Sequence, residues 1–185
     1  MNKVIWVVDD FLRNPDEVRD IALRQKFYKT HSAGVRTKDS FLHLAPYREQ
    51  FEELVQARAT DWEINEANGR FQCCLASDSV PYHSDSQSHA GVLFLTPEAP
   101  IKAGLSFFMS KETGLRRRSK NADLMMKTFG GGAEFDQKKW EEVDRIGNVY
   151  NRLVIFDAML AHGASSYFGE TIQNGRLFQN FFFNI

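Results

Sequence analysis

The side chains best suited to hold a metal ion are in Tyr82-His83-Ser84-Asp85, near the middle of the chain, and at His162, near its end. In extended backbone alternate side chains share a face, so His83 and Asp85 present one imidazole and one carboxylate to the same point. His162 follows the apolar run Leu153-Val154-Ile155-Phe156, where a buried strand would end and deliver its last side chains to a cavity. Two imidazoles and a carboxylate cover one face of an octahedral ion and leave the opposite positions open, the ligand pattern of non-haem Fe(II) centres. An isolated His-x-Asp is more often a turn pair, here after Pro81, with its carboxylate on backbone amides. A second histidine and a strand arginine in the right order favour the metal.

That arginine is Arg176, which opens the aromatic-rich run Arg176-Leu177-Phe178-Gln179-Asn180-Phe181-Phe182-Phe183. A permanently charged guanidinium in such a strand needs an anionic partner or an outlet to water. A dicarboxylate cosubstrate, its far end held by the planar fork, is one such partner, and a protein carboxylate is the other. Arg152 is a second candidate anion binder, although a structural contact with Asp144 or Asp157 explains it as well. His89, six residues after His83, is the rival ligand, and a site that used it would suit zinc. His31 and His43 precede the strands expected to form the cavity and default to structural or cleft-edge roles.

These residues need a sheet-built cavity to bring them together. From residue 70 onward apolar strand-like runs alternate with turn residues, at 71–76, 90–96, 105–109, 152–156 and 176–184. This spacing predicts a mainly β fold, an antiparallel jelly roll or double-stranded β-helix of the cupin kind, whose two sheets enclose the site. Before it, residues 4–8 read as a short buried strand. A helix begins at Asn14-Pro15-Asp16-Glu17, with a capping residue, proline at the first position and acids in the first turn, and is expected to run to about residue 28. The polar stretch 29–40, with His31, Gly34 and Arg36, is expected to be an ordered loop bordering the cleft. A second helix starts at Pro46 and places Tyr47, Phe51, Leu54 and Val55 at helical spacing. Both helices are expected to pack on the outside of a sheet. Residues 110–150 form an insertion with the basic run Arg116-Arg117-Arg118, the flexible Gly130-Gly131-Gly132 and a short helix expected over 136–145. It serves equally as a mobile lid or a solvated loop.

The chain of 185 residues suits one domain, 1–69 supporting and 70–185 forming the jelly roll. A net charge of -1 gives no general basic field, which makes nucleic acid an improbable partner. Cys73 and Cys74 are neighbours that point to opposite faces of a strand, so they read as buried thiols and not as a disulfide. The apolar run at the N-terminus is too short for a signal peptide and no stretch approaches a membrane span, so a reducing cytoplasm is the expected location.

His83-x-Asp85, the strand from Ala90, the Gly104-Leu105-Ser106-Phe107 segment, His162 and Arg176 together resemble the 2-oxoglutarate- and Fe(II)-dependent dioxygenases, most of all their prolyl-4-hydroxylase-like branch. The resemblance covers the C-terminal two-thirds of the chain. The gap from His162 to Arg176 is longer than usual in that family, with Gly169 and Asn174-Gly175 suggesting an added turn, and Ser106 stands where many members carry threonine. The resemblance implies that His83, Asp85 and His162 are the iron ligands and that Arg176 binds the far carboxylate of 2-oxoglutarate. It implies consumption of O2, release of succinate and CO2, and hydroxylation of an amino-acid side chain, free or within a peptide or protein. Tyr82, Ser86, Gln87 and Lys102 are further cleft candidates by adjacency, Tyr82 as a cofactor contact. The competing readings are a cupin-like metal protein without oxygenase activity, a catalytically silent interaction domain, and an oxygenase acting on a small metabolite or nucleic acid.

Overall fold

Strand β10 (Arg176–Phe183) carries the alternation that organises the molecule. Arg176, Phe178, Asn180 and Phe182 line an internal cavity, whereas Leu177, Phe181 and Phe183 join the core on the other side of the sheet. The computed structural model describes residues 4–29 and 33–185. Before β10 come β1 (Ile5–Val8), β2 (Phe27–Lys29), β3 (Val35–Thr37), β4 (Phe71–Cys74), β5 (His89–Phe94), β6 (Leu105–Ser110), β7 (Trp140–Ile146), β8 (Leu153–Asp157) and β9 (His162–Ala164). Three α-helices accompany them: α1 (Pro15–Leu23), α2 (Tyr47–Val55) and α3 (Ala122–Phe129).

Seven strands form one sheet in the order β1-β8-β5-β10-β4-β3-β2, and β7-β6-β9 form the second. The segment around His83 lies against β9 through a bridge between His83 and His162, which adds a fourth line of backbone to the smaller sheet. Strands β8, β5, β10 and β4 thus face β7, β6, β9 and the His83 segment, the jelly-roll arrangement that the strand spacing predicts. Inward side chains such as Val92, Phe94, Leu105, Phe107, Phe156 and Phe178 form the core between the sheets.

The two N-terminal helices cover the outer face of the large sheet. Val18 and Ala22 of α1 and Tyr47 and Phe51 of α2 are buried against Leu93, Leu153, Ile155, Phe181 and Phe183. Tyr47 Oη donates to Gln179 Oε1 at 2.9 Å, satisfying a buried amide on that face. The Phe51 ring is centred 4.8 Å from Phe181, 5.3 Å from Trp62 and 5.7 Å from Phe183. Beneath it lies Gly91, where a Cβ would come within 2.8 Å of the Phe51 ring. Truncating this fully buried ring leaves a cavity the sheet cannot fill, so Phe51→Ala should cost about 3–5 kcal/mol. Equilibrium urea unfolding checks it as a lowered midpoint.

Three expectations need correction. Helix α1 stops at Leu23 instead of running to residue 28, because Phe27 enters a strand paired with Thr37. Sheet pairing outweighs the helical propensity of Arg24-Gln25-Lys26. The expected loop 29–40 therefore contains β3, which joins β2 to β4; His31 lies outside the described residues. Finally, 136–145 is not a helix but mostly strand β7, paired with β6, so 110–150 is not wholly an insertion. The register shift opposite Phe107 and Phe108 leaves Val143 as an extra residue, which spaces Trp140, Val143 and Ile146 by three and imitates a helical face. Helix α3 lies earlier, capped by Asn121, whose side chain accepts from the backbone N–H of Asp123 and Leu124.

Cys73 and Cys74 are buried free thiols. Among the described residues no helix is long and apolar enough to cross a membrane.

Candidate metal centre

Residues 81–85 run extended beside β9, and two backbone hydrogen bonds fix their register. His83 N–H donates to His162 O at 2.9 Å, and His162 N–H donates to His83 O at 2.8 Å. Asp85 N–H donates to Ala158 O at 2.8 Å, tying the carboxylate-bearing end to the loop after β8. Gly163 permits this close approach, since a Cβ there would lie 2.7 Å from Pro81 O and 2.8 Å from Tyr82 Cδ1.

The result brings His83, Asp85 and His162 together, with one potential ligand atom from each, all within 4.8 Å of one another. Asp85 Oδ1 is 3.6 Å from His83 Nε2, and Oδ2 is 3.6 Å from His162 Nε2. The two rings are centred 4.4 Å apart. His162 Nδ1 donates to Leu160 O at 2.8 Å, which fixes the tautomer and leaves the Nε2 lone pair facing Asp85. His83 Nδ1 is 3.4 Å from Pro81 O in the same sense. Burial first, then the neighbouring His83, push the His162 pKa down to about 4, so at neutral pH it is the uncharged imidazole a metal requires.

The donor set fits a divalent cation on a further observation. Asp85 Oδ2 is buried without a hydrogen-bond partner, and the neutral imidazole at 3.6 Å supplies none. A buried carboxylate oxygen in that state is costly unless a cation satisfies it.

Farther into the cavity Arg176 is 3% exposed. Its Nε and Nη2 reach only the carbonyls of Ala103 and Gly104, at 3.4 and 3.2 Å, and its guanidinium lies over Phe178, 4.4 Å from the ring centroid. No carboxylate pairs with it among the described residues. Burial lowers its pKa, yet an arginine remains charged at any ordinary pH. Tyr167 lies beside it, and burial raises the pKa of its phenol, which stays protonated.

Several sequence candidates fall elsewhere. Tyr82 has opposite parity to His83 and points away from the cavity, its ring stacked on Phe108 at 4.0 Å and edge-on to Trp140. It therefore does not line the cavity that holds the candidate metal set, where a cofactor contact is expected. Ser86, Gln87 and Lys102 do not line the cavity. His43 packs against Phe41. Arg152 pairs with Asp9, at 2.6 and 2.8 Å, and not with Asp144 or Asp157; Asp157 is taken by Arg117. His89 is no ligand, for its ring stacks on Phe183 and packs against Trp6.

Burial lowers the His89 pKa, against a smaller opposing effect of Asp157. The unfolded chain therefore binds a proton at His89 that the folded chain resists, and stability falls as pH drops below about 6.5. His162 acts in the same direction down to about 4. His89→Phe should preserve the stacking and shrink the loss of melting temperature between pH 7.5 and pH 5, as calorimetry would show.

Gln72 and Asn180 escape the sequence reading, and Arg36 enters it only as part of a polar loop. All three line the cavity. Gln72 Oε1 accepts from Arg36 Nε and Nη2, at 3.0 and 2.6 Å, and from Asn180 Nδ2 at 2.8 Å. The available signal was parity, since Asn180 lies four residues after Arg176 on the same face of its strand.

No family model matches the chain, and no curated protein matches its sequence. Solved structures do match. HygX from Streptomyces hygroscopicus, with nickel and 2-oxoglutarate bound, superposes over 97% of this chain and 82% of its own, at TM-score 0.57 and 10% identity. A Pseudomonas putida prolyl-4-hydroxylase matches over 98% and 92%, at TM-score 0.50 and 13% identity. The Trichoplax adhaerens prolyl hydroxylase, in complex with a hypoxia inducible factor peptide fragment, matches over 97% and 83%, at TM-score 0.51 and 11% identity. The chain thus has the mainly β, jelly-roll fold of HygX and the prolyl hydroxylases.

Proposed function

We propose that the chain, as a single domain over residues 1–185, is a 2-oxoglutarate- and Fe(II)-dependent oxygenase that hydroxylates a C–H bond, most specifically on an amino-acid side chain. One observation carries this reading: a single cavity holds the His83, Asp85, His162 set and, separately, a buried guanidinium, Arg176, that no carboxylate of the described residues pairs with. The fold shared with HygX, which has been solved with iron and with nickel and 2-oxoglutarate, supports it.

His83, Asp85 and His162 would hold the iron and Arg176 the far carboxylate of the cosubstrate. When bound, iron and 2-oxoglutarate supply the oxidising power, consuming O2 and releasing succinate and CO2. The protein's own contributions are positional. Leu160 O and Pro81 O hold the imidazoles with Nε2 toward Asp85. Val92, Leu105, Phe156 and Phe178 form apolar walls that exclude water. Arg176 needs no rearrangement to receive an anion, because its fork is already desolvated and braced on Phe178.

HygX has been solved with hygromycin B and the Trichoplax enzyme with a peptide fragment, so this fold accommodates small-molecule and peptide ligands alike. Anaerobic titration with Fe(II) and then 2-oxoglutarate tests the reading through the weak visible charge-transfer band of the chelate, followed by succinate formation on admitting air. Metal uptake without any 2-oxoglutarate binding would favour a cupin-like metal protein instead. Absence of stoichiometric metal would favour an interaction domain.

A further inference from the structure

Arg36, Gln72 and Asn180 form a polar rail across three neighbouring strands of the large sheet, β3, β4 and β10, on the face that lines the cavity. Arg36 and Gln72 are register partners, as are Gln72 and Phe178. The proposed anchor is separate from Arg176: Arg36 is on the second strand over from β10, about 10 Å across the sheet, and Gln72 between them pairs with Phe178, two residues along from Arg176. Gln72 is held by donating Nε2–H to Ala33 O at 2.8 Å, so its Oε1 is a fixed acceptor. That oxygen takes both Nε and Nη2 of Arg36, leaving Nη1 without an acceptor among the described residues.

The charges do not balance without a further anion. A divalent ion, Asp85, the 2-oxoglutarate dianion and Arg176 are together neutral. Arg36 remains, paired only with a neutral amide. Arg70, whose Nε is buried without a hydrogen-bond partner, adds a second positive charge that acts on it, and the one carboxylate that acts the other way, Asp85, is already counted against the metal. A partly desolvated guanidinium without a counterion is costly, and a ligand carboxylate removes that cost through charge-assisted hydrogen bonds. Asn180, fixed on the same acceptor, borders the place where such a group would sit.

We propose that Arg36, positioned by Gln72 and Asn180, is the anchor for a carboxylate on the substrate, so that the substrate is a carboxylate-bearing molecule or peptide end. This rests on the oxygenase reading above, and it selects among substrates left open there.

Binding to inactive protein tests it. Nickel(II)-substituted protein saturated with 2-oxoglutarate is titrated calorimetrically with the free amino acids and straight-chain monocarboxylates, each against its primary amide. The expected result is at least one acid that binds about tenfold or more tighter than its amide, the scale of one charge-assisted hydrogen bond. Arg36→Gln should erase the difference. Arg36→Lys should keep part of it, and its melting curve shows whether the site survives substitution where Arg36→Gln does not fold. The proposal is overturned if no acid binds, if amides bind as well, or if Arg36→Gln keeps the preference. It is also overturned if Arg36→Gln weakens 2-oxoglutarate binding tenfold, for then the residue serves the cosubstrate. Wild-type protein that fails to bind 2-oxoglutarate would instead defeat the oxygenase reading beneath it.

Discussion

Asp85→Asn is expected to lose stoichiometric Fe(II), and with it all 2-oxoglutarate turnover, while its metal-free form melts at or above the temperature of the metal-free parent. The two halves follow from one geometry. Asp85 sits between two imidazole nitrogens, 3.6 Å from each, with Oδ2 buried and unpartnered. That spacing is too long for a hydrogen bond but suits an ion held between the groups. Asparagine keeps the shape and removes the charge that attracts the cation. Affinity should fall at least about 100-fold, the upper range for losing a mere outer-sphere contact, since a direct ligand contributes more. In the metal-free protein the same charge is a liability: His162, with its pKa near 4, is neutral at pH 7 and does not compensate it. Metal content after gel filtration, with calorimetry in chelator, checks both halves. A metal-free Asp85→Asn that melts well below the parent would make the carboxylate a structural acceptor.

The parts of this site that were legible in the sequence are those fixed by local parity. His83 and Asp85 share a face because they are two apart in extended chain. Arg176 faces inward because β10 alternates, with Leu177, Phe181 and Phe183 sent to the helix-covered side. What was illegible depends on pairing between distant segments. Arg36 reaches the cavity only because β3 adds to β4, which sets it opposite Gln72, 36 residues later. The Arg152–Asp9 pair joins residues 143 apart in the sequence. Strand β7 was hidden for a different reason. A bulge at Val143 broke the two-residue period, and its mostly exposed side chains offered no apolar run to replace it. Tyr82 shows the reverse failure. Adjacency to a ligand put it on the candidate roster, although adjacency in a strand guarantees the opposite face.

Extension of the large sheet beyond the jelly-roll strands adds a further cation to the cavity. Strand β10 supplies Arg176, and β9 with the segment 81–85 beside it supplies the candidate metal set of His162, His83 and Asp85. Strands β2 and β3 lengthen the large sheet past β4, and their one inward cation is Arg36. In the proposed reading, chemistry and substrate choice fall on different elements, so substitutions at Arg36 and at Arg176 should separate in their effects.

Arg176→Met is the test of the second half of the site and should raise the KM for 2-oxoglutarate by about 30-fold or more, since loss of one partner of a buried charge pair typically costs about 2–5 kcal/mol. Methionine keeps the aliphatic stem but stops short of the guanidinium carbon that lies over Phe94 and Phe178, so the melting temperature of the metal-free variant is measured beside KM to detect a packing defect. The metal-free, cosubstrate-free protein should not suffer. It loses two long hydrogen bonds to Ala103 and Gly104, at 3.4 and 3.2 Å, each contributing about 1 kcal/mol or less, and the guanidinium's contacts with Phe94 and Phe178, but it is relieved of a buried charge with no carboxylate partner among the described residues. A structural arginine would give the opposite pattern, a large fall in melting temperature with little change in KM. Arg176→Lys separates charge from shape: it restores the cation but not the two-pronged fork, so KM should recover only in part. Added 2-oxoglutarate should raise the melting temperature of the metal-loaded parent and leave that of metal-loaded Arg176→Met unmoved, because a ligand stabilises only the folded state it binds.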